Sequence, residues 1–171
     1  KNKWKLEMES SKALENAKEL SKTRIFAGNL FSKNVCEELR FLDMPSVRFA
    51  VDIKDCPLCE NGIDKVEFLL SANVGEDLKP LSKIASGGEL SRIMLAIKSV
   101  LSEKDGISTL VFDEIDTGVS GSAAQKIAVK LKQVSQSHQV ICVTHLAQIA
   151  AYADEHLFIS KSEHDGQTYT E

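Results

Sequence analysis

The sequence predicts an α/β fold: a mostly parallel sheet with flanking helices, entered by one long N-terminal helix. Three observations predict it. Residues 3 to about 42 hold no proline and only Gly28 as a breaker. Val47 to Ile53 and Val66 to Leu70 alternate as half-buried strands do. Ser108 to Phe112 and Gln139 to Val143 are short apolar runs rich in β-branched residues, the pattern of buried parallel strands.

In the N-terminal run Leu6, Ala13, Leu20 and Ala27 recur every seven residues, with Ala17 and Phe31 interleaved and Ser10 and Arg24 interrupting the seam. That pattern suggests the end of a coiled coil running into a domain, although a plain amphipathic helix shows the same spacing. Residues 1–42 are therefore assigned to a coil end and entry helix, and 43–171 to the domain proper. Cys56 to Gly62 is turn material between the two alternating strands, which makes that pair antiparallel. After Pro80 the order becomes loop, helix, strand, helix, strand, helix, strand, with helices at about 89–103, 121–136 and 146–153.

Composition narrows the class. The 171 residues are 43% hydrophobic and 27% charged, ordinary for a folded domain with a core. No apolar run approaches the ~20 residues of a spanning helix, so no membrane is expected. A net charge of -4 and a pI near 5.6 argue against a strongly basic nucleic-acid surface, while leaving room for a local patch. Cys36, Cys56, Cys59 and Cys142 are irregularly spaced, which suits free thiols in a reducing compartment better than a disulfide framework. The chain opens on Lys1-Asn2-Lys3-Trp4, with neither Met nor a signal-peptide core, and reads as a piece of something longer.

Three motifs carry chemistry. Ser86-Gly87-Gly88-Glu89 precedes the apolar-periodic stretch Leu90 to Leu101. Two glycines let backbone approach a ligand, and the helix start offers unpaired N–H groups to an anion; the same residues also serve as plain capping. Thr109 to Phe112 is an apolar strand that runs into Asp113-Glu114 and sets two acids at the sheet's carboxyl edge, where α/β folds bind ligands. An Asp there can hold Mg²⁺, and a neighbouring Glu can orient or deprotonate an attacking water. Their adjacency on a strand would point them opposite ways. Val140 to Thr144 is a second apolar strand; it ends in His145, which can donate to a phosphate oxygen or satisfy backbone groups at the strand end. Cys56-x-x-Cys59 supplies half a tetrahedral zinc site, with no second matching pair.

Together and in this order, the three motifs resemble the ABC-type ATPase fold. Ile84-Ala85-Ser86-Gly87-Gly88-Glu89-Leu90-Ser91-Arg92, Val111 through Gly121 and Cys142-Val143-Thr144-His145-Leu146 resemble one family still more closely. That family is RecN, the bacterial SMC-like proteins of DNA double-strand break repair, and the resemblance extends over roughly residues 20–171.

The resemblance implies the C-terminal lobe of an ABC/SMC-type P-loop ATPase head, with ATP and Mg²⁺ as cofactors. Ser86, Gly87, Gly88 and Glu89 match the signature motif that contacts the γ-phosphate of ATP on the opposite head. Asp113 matches the Mg²⁺-site aspartate, Glu114 the catalytic glutamate and His145 the switch histidine. Asp116, Thr117, Gly118 and Ser120 match the loop linking two active sites across a dimer; many ABC and SMC proteins carry Asp where this chain has Ser120.

None of the nine glycines is followed by Lys, so no Gly-x-x-x-x-Gly-Lys-Ser/Thr loop is present and the chain alone is expected to be inactive. In SMC-like proteins that loop lies on an N-terminal lobe before the coil. The implied partners are that lobe, a second head, DNA as ends or single-stranded regions, and a recombinase, in a bacterial cytoplasm near the nucleoid. The rival readings are a transporter-type nucleotide-binding lobe and a non-catalytic dimerisation or DNA-tethering module. The leading helical seam weighs against the first, and intact Asp113, Glu114 and His145 weigh against the second.

Overall fold

The computed structural model describes residues 2–73, 75–83, 87–101, 106–164 and 167–170. Helix α1 spans Asn2–Phe41, in agreement with the helical run. It stops where Asp43 enters the left-handed region (φ 59) and the Met44 N–H returns to the Leu39 carbonyl at 2.9 Å, a C-terminal cap that closes the last turn. The hairpin β1 (Arg48–Cys59) and β2 (Gly62–Ser71) is antiparallel, as expected, and β3 (Lys79–Pro80) pairs with β2.

Strand β1 runs on through residues read as a turn. The register shifts between Asp55 and Cys59, and that irregularity accommodates Pro57, which cannot donate to a regular ladder. Only Glu60 and Asn61 form the turn itself.

The hairpin lies along α1. Phe31, Phe49 and Phe68 form a triad with ring centroids 5.5 to 5.8 Å apart. Gly28 breaks no helix; it lets the strand in, since a Cβ there would sit 3.3 Å from Val51 Cγ1. One turn on, Ser32 Oγ accepts from the Val51 N–H at 3.0 Å. Near the hairpin tip, Ser21 Oγ and the Arg24 guanidinium bind Asp64 at 2.7 and 3.0 Å. The Ser21 hydrogen bond, with help from Arg24, holds the Asp64 carboxyl below its usual range against the effect of burial.

The second half is α2 (Gly87–Leu101), β4 (Thr109–Phe112), α3 (Gly121–Val134), β5 (Gln139–Cys142) and α4 (Ala147–Ala150). A final antiparallel pair follows, β6 (Lys161–His164) with β7 (Gln167–Thr170). Strands β4 and β5 are parallel, as expected, with Phe112 opposite Cys142. Among the described residues this pair is the parallel component, and the other two sheets are antiparallel. Helix α4 is shorter than 146–153: bonds from the Ala151, Tyr152 and Ala153 N–H groups continue it only as turns.

Val35 and Leu39 from the end of α1, and Leu42 just past it, join Ile93, Leu95 and Ala96 of α2, Phe112 of β4, and Ile127 and Ala128 of α3 in one core. The last turns of α1 therefore belong to the domain's interior. Lys130 Nζ on α3 meets Glu38 at 2.6 Å and lies 4.8 Å from the Phe41 ring centre, tying α3 to α1. Strands β4 and β5 are covered on one face only. Leu110 and Phe112 point into the core, whereas Val111 is 65% exposed and Ile141 and Val143 are also open. The sequence made both strands look buried; no layer among the described residues covers that second face. No helix among the described residues is long and apolar enough to cross a membrane.

Candidate functional site

Helix α2 begins at Gly87 and lays its first two turns across the exit of β4. Ser91 Oγ donates to the Asp113 carbonyl at 2.7 Å. Arg92 is only 8% exposed, and its Nη1 donates to the carbonyls of Thr117 at 2.9 Å and Ile115 at 3.3 Å. Burial pulls the guanidinium pKa down, with Glu89 opposing it. One buried cation thus satisfies two carbonyls of a loop that has no strand partner at that point.

The two glycines make this closeness possible. A Cβ on Gly88 would lie 2.9 Å from Thr117 Cβ and 3.0 Å from the Glu114 carbonyl oxygen. A Cβ on Gly87 would lie 2.5 Å from Glu114 Oε2. The structure therefore brings the helix start, the Glu114 carboxylate and the 114–117 loop together. Ser86, expected beside them, lies outside the described residues, as do Ile84 and Ala85.

Asp113 and Glu114 follow β4 rather than ending it, because the strand stops at Phe112. Their divergence has a different cause from the strand pleat expected. Glu114 takes φ 56, a left-handed conformation uncommon for a non-glycine residue, and its N–H donates to Asp113 Oδ1 at 2.9 Å. The turn sends the Glu114 carboxylate toward Gly87, and both acids are exposed.

Beyond Glu114 the loop residues part company. Asp116 is 3% exposed, and its Oδ2 accepts from Thr144 Oγ1 at 2.5 Å and from the His145 N–H at 3.0 Å. His145 Nδ1 lies 3.1 Å from the same oxygen, leaving most of the ring in solvent. Burial alone would raise the Asp116 carboxyl; the bonds from Thr144, the His145 backbone and its own N–H, with the nearby ring, carry it below its ordinary value. The expected linking-loop residue Asp116 is thus turned inward. Thr117, Gly118 and Ser120 are exposed, with Gly118 at φ 73. Ser120 caps α3 through its extended backbone, and its hydroxyl makes no capping bond. Cys142 is partly buried beneath this cluster; burial, with Asp116 and Asp113 adding to it, pushes its thiol up to about 11.

A single carboxylate suits a hard cation that keeps most of its own shell. Asp113 offers a carboxylate with one oxygen committed to the Glu114 N–H. Among the described residues no three His, Cys, Asp or Glu side chains group as a metal site, Cys56 and Cys59 included. Mg²⁺ characteristically takes one or two carboxylates and completes its shell with waters and phosphate oxygens.

Arg92 and the inward turn of Asp116 were not anticipated as site features. Each left a signal: an arginine on the apolar face of a helix between Leu90 and Ile93, and an acid flanked by Ile115 inside a loop of small residues.

No family model matches the chain. Curated relatives do. A DNA repair protein RecN from Halalkalibacterium halodurans is 50% identical over 145 residues, 82% of this chain and 26% of the relative. The RecN of Treponema pallidum is 45% identical over 167 residues, 94% of this chain and 29% of its own length. The chain thus spans between a quarter and three tenths of these relatives. Among solved structures, the Smc head domain with a coiled coil and joint derived from Pyrococcus yayanosii matches 99% of this chain and 32% of its own, at 26% identity and a TM-score of 0.61. An Smc head domain derived from Pyrococcus furiosus, with an extended coiled coil and bound to the C-terminal domain of ScpA, matches in fold at a TM-score of 0.58 and 24% identity.

Proposed function

The chain belongs to the RecN family of DNA repair proteins, and from that premise we infer that it is the C-terminal lobe of an ATPase head, with the end of a coiled coil leading in. The observation that carries this reading is the contact between the α2 start and the Glu114 loop. A backbone open enough to meet phosphate and a carboxylate able to handle water are held side by side by Arg92, Ser91 and the two glycines.

In this reading Asp113 holds Mg²⁺, which neutralises phosphate charge when bound. Glu114 takes the proton of the attacking water, and its backbone turn points the carboxylate at the helix start. Ser86, Gly87, Gly88 and Glu89 receive the γ-phosphate of the opposite head, with the α2 N–H groups and dipole favouring the anion. His145 reads a phosphate oxygen from the β5 exit. Exposed Thr117, Gly118 and Ser120 face the second head. The nucleotide's own phosphate loop belongs to an N-terminal lobe, and the open face of Val111, Ile141 and Val143 is the surface that lobe would cover. ATP-driven engagement of two heads in the bacterial cytoplasm would then govern how the protein holds DNA ends or single strands, with a recombinase downstream.

The test is Ser86→Arg in the full-length protein. A bulky cation would keep the opposing γ-phosphate from the Gly87–Gly88 backbone, so binding of ATP to a single head should persist while turnover is lost. Loss of nucleotide binding by one head would place Ser86 in the same-chain site and contradict the reading.

A further inference from the structure

The tip of the β1–β2 hairpin carries two cysteines that take no part in the nucleotide site. Ladder pairing places Asp55 opposite Asp64 and Cys59 opposite Gly62. From Asp55 to Cys59 β1 therefore advances only as far as two residues of β2, about 7 Å where a regular strand would cover about 13 Å. Exposed Pro57 and Leu58 absorb the excess length, and the fold brings Cys56 and Cys59 together. Cys59 Sγ donates to the Gly62 carbonyl at 3.3 Å, and the Cys56 thiol hydrogen-bonds to Cys59. Both are free thiols, Cys56 half-buried and Cys59 exposed.

A disulfide needs Cα atoms about 4.4–6.8 Å apart, a separation that a straight strand denies to residues three apart and that this irregularity allows. Two thiolates fill only half of a tetrahedral zinc shell, and among the described residues no third His, Cys, Asp or Glu joins them. We propose that Cys56 and Cys59 form a dithiol site that exchanges with small-molecule disulfides and closes into a disulfide across the strand irregularity. Exposed Cys59 attacks as the thiolate, forming a mixed disulfide and releasing one small thiol. Cys56 then loses its proton to solvent, attacks the Cys59 sulfur and expels the second small thiol. The protein gives up two electrons, and the small disulfide is reduced by them to two thiols. Partial burial, and then Cys59 itself, hold the Cys56 thiol above its ordinary range, with Arg24 opposing them. Capping of Cys59 removes that neighbour's share and frees Cys56 to react. The same tip meets α1 where Ser21 and Arg24 hold Asp64, so the closed disulfide stiffens the hairpin at its contact with the long helix.

In the experiment the full-length protein is equilibrated with reduced and oxidised glutathione, quenched with an alkylating reagent and digested. Mass spectrometry then reads the peptide bearing Cys56 and Cys59. In oxidised glutathione that peptide should lose two hydrogens and resist alkylation, and a reductant should restore both thiols. Cys56→Ser should trap glutathione on Cys59, whereas Cys59→Ser should leave Cys56 free. The native pair should close at a glutathione ratio at least about tenfold more reducing than the urea-unfolded pair, because the fold has already brought the thiols together. Thiols that stay open to alkylation in excess oxidised glutathione overturn the proposal, and so does an equal closing ratio in native and unfolded protein. Bound zinc in the native mass spectrum, with alkylation blocked until a chelator is added, overturns it in favour of a metal site. Glutathione captured on Cys56 in Cys59→Ser, with none on Cys59 in Cys56→Ser, contradicts the order of attack. Should either variant fail to fold, the wild-type readings decide alone.

Discussion

Gly88→Ala and Gly87→Ala differ by one position and should behave differently. At Gly88 the added Cβ meets Thr117 Cβ at 2.9 Å, the Glu114 carbonyl oxygen at 3.0 Å and the Thr117 carbonyl oxygen at 3.2 Å. Both of these carbonyl oxygens are already bonded, Thr117's by Arg92 at 2.9 Å and Glu114's by the Thr117 N–H at 3.0 Å, so the loop cannot step aside without losing hydrogen bonds. Overpacking of this kind costs about 1–3 kcal/mol, and the helix-propensity gain of Ala over Gly returns at most about 1 kcal/mol. We expect a net loss of about 1–2 kcal/mol, a fall in melting temperature of about 2–8 °C at this chain length. At Gly87 the clash is with Glu114 Oε2, the end of an exposed side chain that can rotate away. Gly87→Ala should therefore leave stability within about 0.5 kcal/mol, as surface changes usually do. In the full-length protein it should still lower turnover by displacing the Glu114 carboxylate. Urea and thermal unfolding of the 171-residue chain measure the contrast. Equal stability of the two variants, or Gly88→Ala melting at or above wild type, would refute the packing argument.

Arg92→Met should destabilise by about 1–3 kcal/mol, because it strands the carbonyl of buried Ile115 and removes the donor to that of Thr117, and urea unfolding reads it. Asp116 should contribute stability in full above its ordinary carboxyl value near 3.8 and lose it as pH falls through the lower folded value. Its lowered folded pKa means that the unfolded chain binds the proton first, so acid favours unfolding. Asp116→Asn should be less stable than wild type at pH 7, with the gap closing in acid, as unfolding midpoints across pH 7 to 3 would show; a constant gap would contradict the ionised hub.

Much of this architecture was legible from periodicity. The long helix, the antiparallel hairpin, and the parallel order of Thr109–Phe112 and Gln139–Cys142 all follow from apolar spacing and β-branched content. Pro57 misled, because a proline in a register irregularity looks like a proline in a turn. One-sided burial of β4 and β5 was hidden for a related reason: Val111 and Ile141 are apolar whether a neighbouring layer is present or not. At the site, residue types marked Asp113, Glu114 and His145, but direction did not follow from type. The left-handed turn at Glu114 and the inward carboxylate of Asp116 depend on where Arg92 and Thr144 lie in space, and these are distant in sequence.

The central claim is that Glu114 performs the chemistry and Asp113 the metal binding, and one variant separates them most directly. Glu114→Gln keeps the size and hydrogen-bonding reach of the side chain and removes its basic carboxylate. Loss of a positioned base costs about 10²–10⁴-fold in rate. In the full-length protein, ATP binding and turnover should be measured together with the fraction of head-engaged dimers. We expect normal ATP affinity, turnover reduced by that factor, and accumulation of engaged dimers. Near-wild-type turnover would remove Glu114 from the mechanism, and failure to bind ATP would show that the roles of the two acids are exchanged.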